Sequence, residues 1–169
     1  VVLAGPSQGS GSVSNATAGS ETIGGDDTSI RSTLIIFDDA DIEAACSAAV
    51  SAFDSHGATG NGGACVFVQK GVASSLVARL AARAGRLRIG PPTGSATKVG
   101  PLTDGVQLAG MLRFINACVD RGAKLAAGGY RAAAPDLAGG FFIAPTVLAD
   151  CTDDMLTPAA GAGPLMAVS

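Results

Sequence analysis

The chain has 169 residues, of which 47% are apolar, and its formal net charge is −3 at pH 7. This size fits one domain or a piece of a larger protein, and a small negative charge without a Lys/Arg cluster argues against a nucleic-acid partner. No apolar run approaches the roughly 18 residues that indicate a membrane span, and Val1 to Ala4 is too short and lacks the basic flank of a signal peptide. We therefore expect a cytoplasmic protein with no membrane partner.

The N-terminal part of the chain predicts two strands joined by a weakly structured segment. Val1 to Ala4 is typical of a short buried strand, whereas residues 5–32 are rich in Gly, Ser, Thr and Asn and predict a loop or a weakly specified helix. Residues 33–37, TLIIF, form an apolar run typical of a strand buried on both faces. We assign residues 1–32 to a degenerate N-terminal strand and a flexible Gly/Ser-rich segment, and residues 33–169 to the core of the domain.

Two helices and a strand follow. Carboxylates are favourable at the positive end of a helix, and three aspartates are expected to open the first helix: Asp38, Asp39 and Asp41. Its apolar face consists of Ile42, Cys46, Ala49, Val50 and Phe53. A strand is predicted at 65–69. The second helix carries the apolar stripe Val72, Leu76, Leu80 and Leu87, and we interpret its arginines as a solvated face rather than a binding site.

The C-terminal half predicts one more helix and three strands. The helix begins near Thr103 or Asp104 and ends at Gly122. The strands are predicted at 124–127, 141–148 and 165–168. Strands that alternate with helices of this length indicate βαβ units. The predicted fold class is therefore α/β, with a mostly parallel sheet and flanking helices.

The cysteines give no indication of a metal site. Cys46, Cys65, Cys118 and Cys151 form no C-x-x-C pair, and the chain has a single histidine, so we expect no bound metal. Cys46 and Cys118 lie on the apolar faces of predicted helices, and we interpret them as buried small hydrophobic residues.

Four stretches resemble the catalytic domain of the aldehyde dehydrogenase superfamily in sequence, order and spacing. They are IIFDDADIEAA at 35–45, KVGPLTD at 98–104, GAKLAAGG at 122–129 and GFFIAPTVLADCTDDM at 140–155. The resemblance covers nearly the whole chain. It implies the α/β catalytic-domain fold for residues 33–169, in a truncated form that lacks most of the cofactor-binding domain and the C-terminal oligomerisation segment.

The resemblance also implies a definite chemistry. In this family a cysteine thiolate attacks the aldehyde, an amide oxyanion hole stabilises the adduct, hydride passes to NAD(P), and a glutamate activates water. The nucleophile lies in a loop resembling N-x-G-Q-x-C, shortly before a strand resembling R-V-F-V-Q. Laid on residues 52–69 without gaps, Ser55 takes the oxyanion position, Gly60 the nucleophile position and Cys65 the arginine position. Glycine has no side chain that could form a thiohemiacetal, so the attacking group is missing.

The remaining motifs of the family are altered as well. The E-L-G-G-K segment reads DTSIR, in which Asp27 replaces the glutamate with a side chain one methylene shorter. The F-T-G-S contact to the cofactor reads LAGP, in which Gly5 is kept and Pro6 has no N–H to donate. The E-x-F-G-P motif reads GAGP, in which Gly163 is kept and the glutamate is absent. Gly5 and Gly163 are thus vestigial cofactor-binding positions.

Two residues are candidates for chemistry in place of the missing nucleophile. Cys65 would be a displaced nucleophile, but the surrounding NGGACVFV supplies neither a cation nor a helix N-terminus to favour a thiolate, so a buried structural thiol is the preferred interpretation. His56 is the single histidine and lies in the loop. It is either a solvated bystander or, paired with Asp27, an acid/base group in a repurposed pocket.

The sequence therefore supports a first functional hypothesis and two alternatives. The first is a degenerate member without redox activity and without a cofactor, which acts as a structural or interaction module in a homo-oligomer or in a complex with a related or partner enzyme. The second is a repurposed enzyme in which Asp27 or His56 moves protons on an aldehyde-like or acyl substrate. The third is an NAD(P)-dependent aldehyde oxidoreductase.

Overall fold

A computed structural model describes the backbone of residues 2–4 and 32, together with residues 33–53, 64–134, 137, 139–155 and 163–169. Its strands are β1 (Val2–Ala4), β2 (Ser32–Ile36), β3 (Ala64–Val68), β4 (Lys124–Ala127), β5 (Thr146–Ala149) and β6 (Leu165–Val168). Its helices are α1 (Ile42–Ser51), α2 (Lys70–Ala84) and α3 (Gly105–Asp120), with a short 3-10 helix at Asp153–Met155. The proposed division of the chain at residue 32 stays a prediction.

The six strands form one sheet in the order β1-β2-β3-β6-β5-β4. Every neighbouring pair is parallel except β4 and β5, which are antiparallel. In the centre of the sheet, Cys65 of β3 lies beside Thr33 of β2 on one side and Ala167 of β6 on the other. The predicted α/β class with a mostly parallel sheet and flanking helices is confirmed.

Local sequence signals explain where the helices start and stop. The carboxylate of Asp41 caps α1 by accepting hydrogen bonds from the amides of Glu43 (2.9 Å) and Ala44 (3.2 Å). The carboxylate of Asp104 caps α3 in the same way, with the amide of Gln107 at 2.7 Å. Gly122 follows α3 with φ at +107°, a conformation that a side chain would disfavour, so the predicted helix end is confirmed.

The two faces of the sheet are covered by different helices. On one face α1 and α2 bury Leu34, Ile36 and Val66 beneath apolar residues that include Leu76 and Leu80. On the other face α3 packs over β5 and β6, where its buried side chains meet Leu148, Leu165 and Ala167. Each helix presents one apolar stripe to the sheet, as the helical spacing predicted.

Among the residues that the structure describes, no helix packs on the second face along β2 and β3, which corrects one prediction. The strand at 33–37 is not buried on both faces, because Thr33 and Ile35 are half-buried and Phe37 is 43% exposed. Phe67 of β3 is 37% exposed next to them. A parallel sheet normally has both faces covered, so exposed phenylalanines at this position are unusual.

One further prediction needs correction. The strand predicted at 141–148 is shorter, since β5 begins at Thr146 and Ile143 makes an isolated bridge to Arg131. The arginines of α2 do lie on a solvated face, where Arg79 and Arg83 both form ion pairs with Glu43 of α1. These contacts join the two helices that cover the same face of the sheet. In the part of the chain that the structure describes, no helix is long and apolar enough to cross a membrane.

Candidate functional site

The predicted site residues divide into two groups. Five of them lie outside the described residues: Gly5, Asp27, Ser55, His56 and Gly60. The proposed pairing of Asp27 with His56 therefore stays a prediction. The other two, Cys65 and Gly163, are described, and their surroundings can be compared with the roles that the sequence suggested.

Cys65 is a buried residue of a central strand. It is the second residue of β3, it has a strand on either side, and only 7% of its surface is exposed. A nucleophile must be reached by its substrate and must be available as a thiolate. The small exposed fraction limits the access of an aldehyde to this sulfur.

The other thiols are buried too, and burial raises the pKa of two of them. Burial raises the pKa of the Cys46 thiol, and the nearby charge of Arg83 opposes that shift. Burial also raises the pKa of Cys151, from an ordinary value of 9.0 to about 11, with a further contribution from Cys118. The like charge of Asp150 makes a smaller contribution in the same direction. Both thiols are poor thiolate sources near neutral pH.

Gly163 has a packing role. It is buried, and a Cβ built on it would lie 2.2 Å from Sδ of Met111 and 3.3 Å from Cδ2 of Leu102. Met111 is itself buried, so a larger residue at 163 would have to displace the core beneath α3. The carbonyl of the next residue, Pro164, accepts a hydrogen bond from the amide of Thr146 at 2.9 Å. Packing therefore accounts for a glycine at position 163.

The stretch at 122–129 contains two glycines that the backbone conformation requires. Gly128 and Gly129 both have positive φ, at +72° and +81°. A Cβ on Gly128 would lie 2.3 Å from the carbonyl oxygen of Pro145, which no side chain could tolerate without moving the backbone. This glycine pair lets the chain leave β4 close against the segment that enters β5.

Sequence reasoning missed a crevice at the carboxyl ends of the central strands. Its volume is about 570 Å³, and its lining comes from the ends of β3, β5 and β6 and from the first half of α2. No sequence signal could have placed it, because it depends on β6 lying between β3 and β5. Within the described ranges, no three His, Cys, Asp or Glu side chains are grouped so that they could hold a metal ion.

Comparison with known proteins assigns the family. The model of the aldehyde dehydrogenase family matches residues 27–168, and the chain belongs to this family. The matched range begins at Asp27, the position at which the sequence resemblance places the altered glutamate.

Solved aldehyde dehydrogenases share the fold. Betaine aldehyde dehydrogenase from Staphylococcus aureus, solved with NAD+, is 27% identical with a TM-score of 0.73, and the match covers 82% of this chain and 28% of that chain. A mutant aldehyde dehydrogenase from Bacillus cereus is 32% identical with a TM-score of 0.69, with the same coverages of 82% and 28%. A 3,6-anhydro-L-galactose dehydrogenase in complex with NADP is 30% identical with a TM-score of 0.71, over 81% and 29% of the two chains. This chain thus spans less than a third of the length of these structures.

Proposed function

We propose that this chain is a degenerate aldehyde-dehydrogenase domain that performs no redox chemistry and acts as a structural or interaction module. The observation that carries the proposal is glycine at position 60, where the family places its cysteine nucleophile. Aldehyde oxidation by this family requires a sulfur to form the thiohemiacetal from which hydride leaves. A hydrogen atom in that position cannot attack a carbonyl.

Three of the buried thiols support the proposal, because none of the three is suited to replace the missing sulfur. Cys65 follows position 60 by a few residues but is fixed within the sheet. Cys46 and Cys151 have raised pKa values and are shielded by helices and by the end of β5. The residues that determine the fold are intact, whereas those that determine the redox chemistry are altered.

The cofactor contacts support the same conclusion. Two of the structural relatives were solved with NAD+ or NADP. In this chain the glutamate of the E-x-F-G-P motif is absent, and Pro6 cannot donate a backbone hydrogen bond where the family has serine. Gly163 is accounted for by its packing against Met111. We therefore propose that the chain binds neither dinucleotide.

Uncovered surfaces support an interaction role. Phe37 and Phe67 are exposed on the open face of β2 and β3, and β4 is an edge strand whose Leu125 is 46% exposed. Exposed apolar sheet faces and unpaired strand edges favour association. The proposed partner is a second copy of this chain or a related aldehyde-dehydrogenase subunit.

The test combines a cofactor titration with an activity assay. NAD+ and NADP are titrated calorimetrically, and reduction of each cofactor is followed with aliphatic and aromatic aldehydes, with the full-length Bacillus cereus enzyme as positive control. We expect no saturable binding and no cofactor reduction. The Gly60→Cys variant restores the sulfur alone, and it is expected to stay inactive because the cofactor contacts remain altered.

Two results would contradict the proposal. Saturable binding of NAD+ or NADP with aldehyde-dependent reduction by the unmodified chain would show a working dehydrogenase. A single fast-reacting cysteine that aldehyde protects from iodoacetamide would show a displaced nucleophile. Proton-transfer activity that is lost in both Asp27→Asn and His56→Ala would instead favour the repurposed enzyme.

A further inference from the structure

We propose that a row of arginines along the second half of α2 and the turn after it, called here the arginine surface, binds an acidic segment of a separate partner protein. The row consists of Arg79, Arg83, Arg86 and Arg88. The proposal rests on the interaction role proposed above and names the chemistry of the partner. The sequence alone favoured a face that only contacts water, whereas the placement of these side chains in the structure supports binding.

The charges of the chain are strongly segregated along the sequence. Residues 55–103 contain six of the 11 Lys and Arg residues and none of the 14 Asp and Glu residues. Four of these six cations are arginines, and all four belong to the arginine surface. The whole chain is nevertheless acidic, with a net charge of −3. The arginine surface is therefore a local concentration of positive charge on an acidic chain.

The backbone aligns the arginines along one side of the helix. Arg79 and Arg83 are four residues apart within α2, and side chains at that spacing are neighbours on a helix. The helical path continues past the last residue of α2, because the amide of Arg86 donates to the carbonyl of Arg83 at 3.0 Å. Arg86 therefore extends the row by one turn, and Arg88 follows two residues later.

The contact with Glu43 shows how a carboxylate binds at the arginine surface. Arg79 and Arg83 both form ion pairs with Glu43, one with each carboxylate oxygen. Nη1 of Arg83 also donates to Oγ of Ser47 at 2.8 Å. The planar guanidinium group has the geometry that carboxylates require. Because these contacts already hold two arginines in place, less conformational entropy is lost when a further carboxylate binds.

Arg86 and Arg88 supply the uncompensated charge. Both are exposed, and neither forms an ion pair with a residue in the described part of the chain. Among the described residues, Glu43 alone forms ion pairs with this row, so one negative charge faces four positive ones. Complementary charge therefore favours a partner that presents several carboxylates.

Two other occupants fit the arginine surface less well. A two-fold contact between copies through this surface would place arginines against arginines. A long polyanion such as DNA would extend beyond the row and meet the rest of the chain, which holds all 14 acidic residues. Arg79 and Arg86 are separated by roughly 10 Å along the helix at about 1.5 Å per residue. A short acidic segment of another protein matches this length.

The arginine surface lies away from the last residue of the chain. Ser169 and Lys70 both line the crevice beside the first half of α2. Arg83 follows Lys70 by about 20 Å along the helix, at about 1.5 Å per residue. Charges separated by more than about 10 Å in solvent are largely screened at ordinary ionic strength. The charge of this surface therefore does not depend on a carboxylate at Ser169.

Octaglutamate is the probe, and octaglutamine, an uncharged peptide of the same length, is its control. Binding is measured by calorimetry at low and at physiological ionic strength, and its location by changes in backbone amide NMR shifts. We expect saturable octaglutamate binding that weakens as salt is added. The largest shift changes are expected at Arg83, Arg86 and Arg88. We expect no saturable binding of octaglutamine.

A variant of the row and a matched arginine elsewhere test the location. Arg86→Ala is expected to weaken octaglutamate binding about fivefold, the effect of losing one exposed ion pair. Arg113→Ala removes an exposed arginine of α3, on the other face of the sheet, and should leave the affinity unchanged. If Arg86→Ala does not unfold cooperatively in urea, Arg88→Ala takes its place.

Glu43→Gln tests the competition between the internal carboxylate and the ligand. It frees Arg79 and Arg83 from their ion pairs, so octaglutamate should bind about fivefold more tightly. Asp39→Asn is the charge-matched control, since it removes one negative charge from the exposed turn before α1. It should change the affinity by less than about twofold.

Several results would overturn the proposal. They are no saturable octaglutamate binding, equal affinities for Arg86→Ala and Arg113→Ala, or equal affinities for Glu43→Gln and Asp39→Asn. Tighter binding of a short DNA duplex would assign the surface to nucleic acid instead. Oligomers of this chain that octaglutamate dissociates would assign it to a contact between copies. Aldehyde-dependent cofactor reduction would refute the proposed function but would leave these peptide affinities unchanged, so the two failures are distinguishable.

Discussion

The family-like stretch at 122–129 should be needed for folding rather than for chemistry, and Gly128→Ala tests this directly. Gly128 has φ at +72°, and an added Cβ would lie 2.3 Å from the carbonyl oxygen of Pro145. The left-handed conformation costs a non-glycine residue about 1–2 kcal/mol, and forcing the backbone apart adds about 1–3 kcal/mol. We expect the free energy of unfolding to fall by roughly 2–5 kcal/mol.

Gly110→Ala is the matched control, because it makes the same chemical change with the opposite expected sign. Gly110 lies inside α3, and a Cβ there would meet nothing within 4 Å. Alanine in a helix interior is more stable than glycine by about 0.5–1 kcal/mol. Urea unfolding followed by circular dichroism measures both. If Gly128→Ala does not fold, Gly122→Ala reports the backbone strain alone, since φ is +107° with no atom within 4 Å.

The reasoning is refuted if Gly128→Ala and Gly110→Ala change the stability by the same amount. That result would mean that the glycine pair after β4 is not required by the backbone. The interpretation of the family-like stretches as determinants of the fold would then lose its clearest support.

Two further predictions concern a helix cap and a thiol. Asp41→Ala should lower the free energy of unfolding by about 1 kcal/mol, because α1 loses its cap. Asp39→Ala, in the exposed turn before the helix, should change the stability little. Urea midpoints that move equally in the two variants would contradict this prediction. The Cys151 thiol has a pKa of about 11 in the folded chain and an ordinary value of 9.0 when unfolded. The unfolded chain therefore loses this proton first, and the free energy of unfolding should fall as pH rises from 9.0 toward 11, by at most about 3 kcal/mol. Cys151→Ala should flatten that part of a pH–stability profile, and an unchanged slope would show that another group titrates there.

Local features of this fold could be read from the sequence because they depend on neighbouring residues. Asp41 and Asp104 cap helices through amides two or three positions away, and Gly122 ends α3 by its own backbone conformation. The apolar stripes identified the buried side of each helix for the same reason. The α/β class followed from the alternation of these elements.

Other features depend on contacts between distant segments, and sequence reasoning failed there. The run at 33–37 looks buried on both faces, yet Phe37 is exposed because α3 covers β5 and β6 instead of β2. The ion pairs of Arg79 and Arg83 with Glu43 require α1 and α2 to lie on the same face. The crevice at the carboxyl ends of the central strands exists only because β6 lies beside β3.

The candidate site itself rests mainly on sequence resemblance. The structure gives Gly163 a packing role through its approach to Met111, and it shows that Cys65 is buried. The roles of Gly60, His56 and Asp27 were inferred from motif positions outside the described residues. Those roles are open to chemical tests that do not depend on the fold.

The most direct test of the central claim is a search for a covalent intermediate. The chain is incubated with an aldehyde and NAD+ or NADP, quenched in acid, and measured by intact mass spectrometry and peptide mapping of its four cysteines. The account predicts an unchanged mass, because no sulfur stands where the family's nucleophile would be. An acyl group on Cys65, or on any other cysteine, would contradict it.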